Sequence, residues 1–472
     1  MRHTKIVATL GPSTDSDHEM ARLMQKGLNV ARVNFSHGKA EDHKMRIDLV
    51  RKHAVEHKRA IGILADLQGP KIRITRFKNK KIHLEQGASF TLDVELDEGA
   101  GDDERVGVTY KDLPKDVKLG DVLIVDDGNI VLEITEVLDP IVKTKVLIGG
   151  ELSDSKGVNR KGGGLTAASL TPKDHQDIRL AGDMEIDYLA VSFVRNAVDV
   201  SFARELLQAT GSQGGIVSKI ERVEAVENIE EIVDASDGIM IARGDLAVEI
   251  GDAQLPGVQK KLVAVARRRN RFVITATQMM TSMIENLTPT RAEVLDVANA
   301  VLDGTDAIML SQESAVGKHP AKVVAAVDRI CRGSESTNLG MDRIERGAQQ
   351  FYSTEEAVAM ATMYTARHYN VAAILALTES GSTAKWLSQQ LSGIPIYAIS
   401  SHARTHRRVT LFRGVFPIDF VVDVKAEVPI ELQAVKELRR RKIVKKGDLL
   451  LVTRGDQAGV QGGTNTMKIL TV

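Results

Sequence analysis

Eight short runs of apolar and β-branched residues, each closing on a cluster of polar side chains, constrain this chain more than any other feature. They are KIVATLG (5–11), VARVNFSH (30–37), IGILADL (61–67), YLAVSFV (188–194), GIVSKIE (215–221), GIMIARGDL (238–246), FVITATQM (272–279) and AIMLSQES (307–314). Most are followed by a stretch with helical spacing of apolar residues, such as HEMARLMQKGL after the first and AVENIEEIVDAS after the fifth. Near-continuous apolar strands alternating with helices belong to a parallel sheet covered on both faces. Eight such units close into a (β/α)8 barrel, an α/β fold. An open doubly wound sheet would want a G-x-G-x-x-G turn after its first strand, and TLGPST does not supply one.

One gap breaks the rhythm. Most strands start roughly 25–35 residues apart, but about 120 separate the third from the fourth. Within the gap, KIHLEQGASFTLDVEL, DVLIVDDGNIVLEITEV and VKTKVLIGGEL alternate polar and apolar residues, with DDGN as a turn. This predicts a small β domain inserted at the C-terminal end of the third strand. Loops at that end carry a barrel's active site, so the insert is placed to act as a lid. After Cys331 the polar stretch GSESTNLGMDRIERG reads as a linker. Helix and strand then alternate again through EEAVAMATMYTARHY, AAILALTES, TAKWLSQQL, PIYAISS, ELQAVKELRRRK and DLLLVTRGD. The expected organisation is a barrel over 1–67 and 165–335, a β lid over 68–164 and a C-terminal α/β domain over 345–472.

Composition narrows the partners. Lys plus Arg equals Asp plus Glu at 63 each, so the net charge is zero and bulk attraction to nucleic acid or anionic lipid is not expected. No apolar run approaches the ~18–20 residues that cross a bilayer, and the N-terminus lacks the pattern of a secretory signal. A single cysteine, Cys331, excludes intrachain disulfides and cysteine-based zinc clusters. A cytoplasmic location is expected.

The polar residues gather at the C-terminal ends of the strands: Arg32, Asn34, Ser36, His37, Asp66, Lys219, Glu221, Arg243, Asp245, Thr277, Gln278, Ser311 and Glu313. In a barrel these ends converge on one mouth. Any single Ser or Thr among them reads as readily as a helix cap. The charged set does not, because burying several charges without purpose costs too much. Lys219 and Glu221 are two apart and so share one face of their strand. Glu221 and Asp245, from adjacent strands, could place two carboxylates on one ion, a donor set that suits magnesium or manganese rather than zinc. Were a helix to start at ARGDL, the N–H groups of Gly244 and Asp245 would face a substrate carboxylate. Spacing alone therefore points to a metal-assisted site for a small anion and names no reaction.

Longer stretches do. KIVATLGPST, NVARVNFSHG, ADLQGPKIR, SKGVN, IVSKIERVEAV, SDGIMIARGDLAVE, ITATQMMTSMI, TPTRAEVLDVANAVLDGTDAIMLSQESAVGKHP and GGTNTMKIL, in order and around an insert of the expected size, resemble the pyruvate kinases along essentially the whole chain. The resemblance implies a (β/α)8 TIM barrel with an inserted β-barrel lid and a C-terminal α/β regulatory domain. It implies transfer of the phosphoryl group of phosphoenolpyruvate to ADP, giving pyruvate and ATP. By the same resemblance Glu221 and Asp245 ligate Mg2+ (or Mn2+), Lys219 neutralises the phosphoryl group in flight and Arg32 holds the substrate phosphate. Gly244 and Asp245 bind the carboxylate, and Thr277 stands by the carbon to be protonated, with Ser311 in the same relay. Asn34, His37, Arg73 and Lys156 contact the nucleotide. A homotetramer is also implied.

This chain departs from the family's pattern near Asn34, Ser36 and Asp66, where many members bind potassium. Leu67 stands where a threonine would supply a ligand and Lys71 where a glutamate would stand. The expectation is that the Lys71 ammonium replaces the monovalent cation, so potassium is not required; the plain alternative is a solvated lysine on a hinge. Gln312 and Ala247 also depart from the pattern, without a functional reading. In the C-terminal domain Thr378, Ser380, Ser382 and Thr383 follow a strand and precede a helix, a loop that suits a phosphate and that the family uses for an allosteric effector. Glu379, where fructose 1,6-bisphosphate-activated members are often basic, favours a sugar monophosphate or AMP; ordinary N-capping is the alternative. Two other classes compete for the whole chain: a barrel lyase or aldolase acting on a pyruvate enolate, and an inactive metabolite sensor. ADP-dependent turnover sets the lyase apart, and the presence of every residue expected to be essential argues against the sensor.

Overall fold

The computed structural model describes residues 1–337, 351, 353–423, 425–456 and 462–472. Eight parallel strands close into a barrel: Lys5–Thr9, Val30–Asn34, Gly62–Asp66, Tyr188–Val191, Gly215–Ile220, Gly238–Ala242, Phe272–Ala276 and Ala307–Leu310. Each of the eight runs read from the sequence holds one strand, and the polar residues that close the runs lie near or just beyond the strands' C-terminal ends. Val30, Leu64, Val217 and Met240 point into the barrel, while Ala31, Ile63, Ile216 and Ile239 pack outward against the helices. Two residues further along, the same alternation turns Arg32, Asp66 and Lys219 inward at the mouth. Helices are fixed by local signals. Asp17–Lys26 starts on Ser16, whose hydroxyl accepts from the Glu19 N–H, and ends on Gly27 in the left-handed region at φ 110°.

The insert forms a six-stranded sheet and a two-stranded ribbon around a core of its own, including Phe90, Leu92, Leu132 and Val142. Its strands pair antiparallel except Ser89–Asp93 with Arg105–Gly107. The DDGN turn joins Val122–Val125 to Ile130–Leu138, and Asp126, Asp127 and Gly128 there all have positive φ.

The C-terminal sheet has five strands in the order Val415–Asp419, Ile396–Ser400, Ala373–Leu377, Leu449–Gly455 and Thr464–Thr471, parallel but for the last. Sequence reading finds only the middle three. Val415–Asp419 carries Pro417, which argues against a strand unless the strand is an edge, as this one is. Thr464–Thr471 is the other edge, largely exposed and without a clear apolar period. The linker expected over 333–347 begins inside the helix Pro320–Glu335, and its residues 338–347, with the boundary at 345, lie outside the described residues.

One core joins the barrel to the C-terminal domain. Tyr188 and Phe272 line the barrel's floor, their rings 5.2 Å apart, and Phe412 lies 5.9 Å from Phe272. These residues share a hydrophobic cluster with Ala359, Leu387 and Leu451. The interface is tied further by the Tyr188 hydroxyl donating to the Arg408 carbonyl at 2.9 Å and by Arg407 on the buried Asp187 at 3.0 Å. No helix among the described residues is long and apolar enough to cross a membrane.

Candidate active site

Asp66 anchors the mouth. It is fully buried at the end of the third strand, with Arg32 Nε 2.7 Å from one carboxylate oxygen and Lys219 Nζ 3.3 Å from the other. Burial pushes its carboxyl up, but Arg32 and Lys219 outweigh that and hold it below the usual range. Arg32 also donates to Thr9 Oγ1 at 2.8 Å. Lys219 lies 3.0 Å from Glu221 and donates to Ser192 Oγ at 2.7 Å. Burial works against its charge, yet Asp66 and Glu221 more than offset the loss, so the ammonium stays protonated above its ordinary pKa. Glu221 is pushed up by burial; Lys219 opposes this, and repulsion from Asp245 adds to it.

The sixth strand passes directly into a helix, Arg243–Ile250, as the sequence requires for an anion site. Gly244 N–H, in its first turn, reaches Thr277 Oγ1 at 2.9 Å. Thr277 and Gln278 both have left-handed backbones, φ 68° and 54°. Such strain persists only where the surroundings hold it. Arg243 does so, donating to the carbonyls of Ala276 and Thr277 while its guanidinium grips both oxygens of Asp296 at 2.7 Å. Ser311 lies one residue past the neighbouring eighth strand, its N–H on Glu313 at 3.0 Å.

Among the described residues no three His, Cys, Asp or Glu side chains form a ready metal cage. The two carboxylates that repel each other across the mouth, Glu221 and Asp245, are an all-oxygen pair. A hard divalent cation that keeps waters and substrate oxygens in its remaining positions fits that pair.

Residues 1–324 match the profile described as pyruvate kinase, barrel domain, and residues 356–470 that of pyruvate kinase, alpha/beta domain. The chain belongs to the pyruvate kinase family. Pyruvate kinase II of Salmonella typhimurium is 51% identical over 480 aligned positions, covering 100% of this chain and 99% of that protein. The pyruvate kinases of Buchnera aphidicola from Schizaphis graminum and of Haemophilus influenzae are 50% and 48% identical, each over 100% of this chain and 99% of the relative. The chain is thus an enzyme, a pyruvate kinase, and the family's need for a divalent metal agrees with the carboxylate pair.

The nucleotide residues expected of a pyruvate kinase divide between two bodies. Asn34 and His37 stand on the barrel, where Asn34 Oδ1 accepts from the Ser36 N–H at 3.2 Å and His37 is exposed. Arg73 and Lys156 stand on the insert: Arg73 donates to the Ser155 carbonyl at 2.8 Å and Lys156 pairs with Asp126 at 2.7 Å. Lys71 Nζ rests on Asp245 Oδ1 at 2.7 Å and makes no hydrogen bond to Asn34, Ser36 or Asp66. The insert is docked at its return to the barrel, where Gly162 N–H reaches the Glu249 carbonyl at 3.2 Å and Gly164 N–H reaches Glu224 at 2.6 Å. A cavity of about 460 Å3 opens between the turn at Asp127 and Gly128 and the helix bearing Asp245 and Ala247.

The loop holding Thr378, Ser380, Ser382 and Thr383 borders a cavity of about 520 Å3 that also takes in Ser400, Phe420 and Arg454. Its hydroxyls are already engaged. Ser382 and Thr383 both donate to Glu355, at 2.6 and 3.1 Å, and Thr378 Oγ1 accepts from the Gly381 N–H at 3.0 Å. Ser380 Oγ takes the Ser382 N–H at 3.4 Å. Sequence reading missed Glu355, Arg454, Asp296 and Ser192. Asp296 and Glu355 sit on helices where an acid reads as a solvated face, and Ser192 lies inside an apolar run.

Proposed function

We propose that this mouth transfers the phosphoryl group of phosphoenolpyruvate to ADP through Lys219. The carrying observation is the ammonium held between Asp66 and Glu221 at 3.3 and 3.0 Å. Phosphoryl transfer asks for in-line positioning and charge neutralisation rather than a covalent nucleophile. Lys219, kept charged by two carboxylates in a water-poor cleft, supplies a fixed cation beside the group in flight. Arg32, aimed by Asp66 and Thr9, holds the substrate phosphate. The N–H groups opening the helix at Arg243 hold the substrate carboxylate. Thr277 and Ser311 serve the proton that converts enolate to pyruvate. Glu221 and Asp245 would hold Mg2+, or Mn2+, which when bound neutralises charge on the substrate oxygens. Asn34 and His37 meet the nucleotide from the barrel and Arg73 and Lys156 from the lid, so closure completes the site and keeps water from the phosphoryl group.

Lys71 brings its ammonium to Asp245 at 2.7 Å, which supports turnover without potassium. The C-terminal cavity takes a phosphorylated effector, a sugar monophosphate or AMP, with Arg454 as its cation and with Ser382 and Thr383 released from Glu355. A homotetramer remains the expected assembly. The deciding experiment measures pyruvate formation from phosphoenolpyruvate and ADP with magnesium, in sodium-only and in potassium buffer. Wild type turns over in both, and Lys219→Met loses at least ~1,000-fold in kcat, the scale of removing one preorganised charge stabiliser. A Lys219→Met enzyme near wild-type rate would remove the lysine from the mechanism.

A further inference from the structure

Ser192 lies one residue past the fourth strand, 1% exposed, and no role follows for it from the reaction as described above. Its hydroxyl accepts from Lys219 Nζ at 2.7 Å and donates to the Leu67 carbonyl at 2.7 Å. Leu67 is the first residue beyond the third strand, where the chain leaves the barrel for the lid. The next residue after Ser192, Phe193, has a left-handed backbone at φ 55° and gives its N–H to Glu221 Oε2 at 2.8 Å. A phenylalanine there is strained, so the turn is held by what it contacts. Gly69 closes the arrangement from the lid side. Its own φ is +68°, and a Cβ on it would fall 2.6 Å from Ser192 Cβ. Gly69 N–H is fixed in turn by the fully buried Asp174 at 3.0 Å.

An ammonium has three donors and no acceptor. Lys219 gives one to Ser192 at 2.7 Å, and its ammonium pairs with Glu221 at 3.0 Å and with Asp66 at 3.3 Å. The two carboxylates set its charge, and the neutral hydroxyl adds nothing to that. What Ser192 adds is direction, together with a mechanical link from the lysine to the root of the lid. We infer that Ser192 is a positioning residue for phosphoryl transfer: it aims Lys219 and ties that aim to the hinge at Leu67–Gly69. The inference rests on the role given to Lys219 above.

The test uses the full enzyme and compares Ser192→Ala in two backgrounds. In wild type it is expected to lower kcat by ~10–100-fold, the scale of a misplaced catalytic group, with KM for phosphoenolpyruvate within ~3-fold. Placed on Lys219→Met, it is expected to cost less than ~2-fold more, because a residue acting through the lysine has nothing left to aim. Ser192→Cys, which keeps a weak acceptor and donor at the same spot, is expected to recover part of the loss. Thermal melting reports the fold separately, so an unfolded variant is not mistaken for an inactive one. Unchanged kcat in Ser192→Ala, or an equal loss in both backgrounds, would overturn the inference. A Lys219→Met enzyme that stays active while Ser192→Ala fails would instead overturn the role of the lysine.

Discussion

At the scale of single residues, the mouth is a chain of charges in which each corrects its neighbour. Asp66 is charged because Arg32 and Lys219 face it, and Lys219 is charged because Asp66 and Glu221 do. Removing one member leaves a buried charge without a partner, which is why Lys219→Met should cost far more than a surface lysine. Lys71 belongs to the same balance. Its ammonium on Asp245 brings one positive charge into a mouth where Glu221 and Asp245 repel each other. Lys71→Glu should therefore make turnover dependent on potassium: kcat falls at least ~100-fold in sodium-only buffer, the low end of the cost of losing one charge stabiliser, and recovers with potassium. A variant equally active in both buffers would show that Lys71 has no such role.

At the scale of elements, the helix Arg243–Ile250 serves two masters. Its first turn carries Gly244 and Asp245, and its last carries Glu249 at the lid's return. Glu249 is buried, accepts from the Val223 N–H at 3.0 Å and faces Asn159 of the lid at 3.4 Å. Burial pushes its carboxyl up to about 7; the Val223 N–H and Arg222 oppose this, while Glu224 adds to it. A carboxyl raised in the folded state binds more protons folded than unfolded, so its stabilisation is present at low pH and is lost as pH rises from about 4.5 through about 7. The whole effect is on the order of 3 kcal/mol at most. Relative to Glu249→Gln, wild type should thus lose melting temperature as pH is raised from about 5 to 8, measured in parallel thermal melts. Parallel curves would mean that the carboxyl does not titrate there.

At the scale of the whole molecule, the barrel floor and the C-terminal domain share one core whereas the lid has its own. That division suits a lid that moves against a rigid base. It also gives the loop at 378–383, the proposed effector site, a route to the barrel. Thr405 Oγ1 donates to the Glu379 carbonyl at 2.5 Å, the Tyr188 hydroxyl reaches Arg408 of the same helix, and Phe412 packs on Phe272. AMP or a sugar monophosphate should move the phosphoenolpyruvate saturation curve to lower concentration. Phe412→Ala should weaken that shift and destabilise the fold by ~3–5 kcal/mol, the usual cost of emptying a buried aromatic site. Saturation curves with and without effector, beside denaturant melts, check both. A full shift in the variant would place the coupling elsewhere.

The sequence by itself determined the eight strands, because parallel strands covered on both faces must be apolar along their length and polar where they stop. The two-residue period then turned Arg32, Asp66, Lys219 and Glu221 to one side, and the long ordered matches named the family. Local pattern could not say whom those side chains meet. Lys71 finds Asp245 across 174 residues of chain, Lys219 finds a serine hidden in an apolar run, and Ser382 and Thr383 find Glu355. The strand Val415–Asp419 exists despite Pro417 because, at the sheet's edge, it needs pairing on one side only, where Ile396–Ser400 supplies it. Periodicity is a property of neighbours in sequence, and it fixes which way a side chain points. Closure of the barrel, docking of the lid and packing of Phe412 into the floor fix what stands in front of it, and those are decided only when distant segments meet.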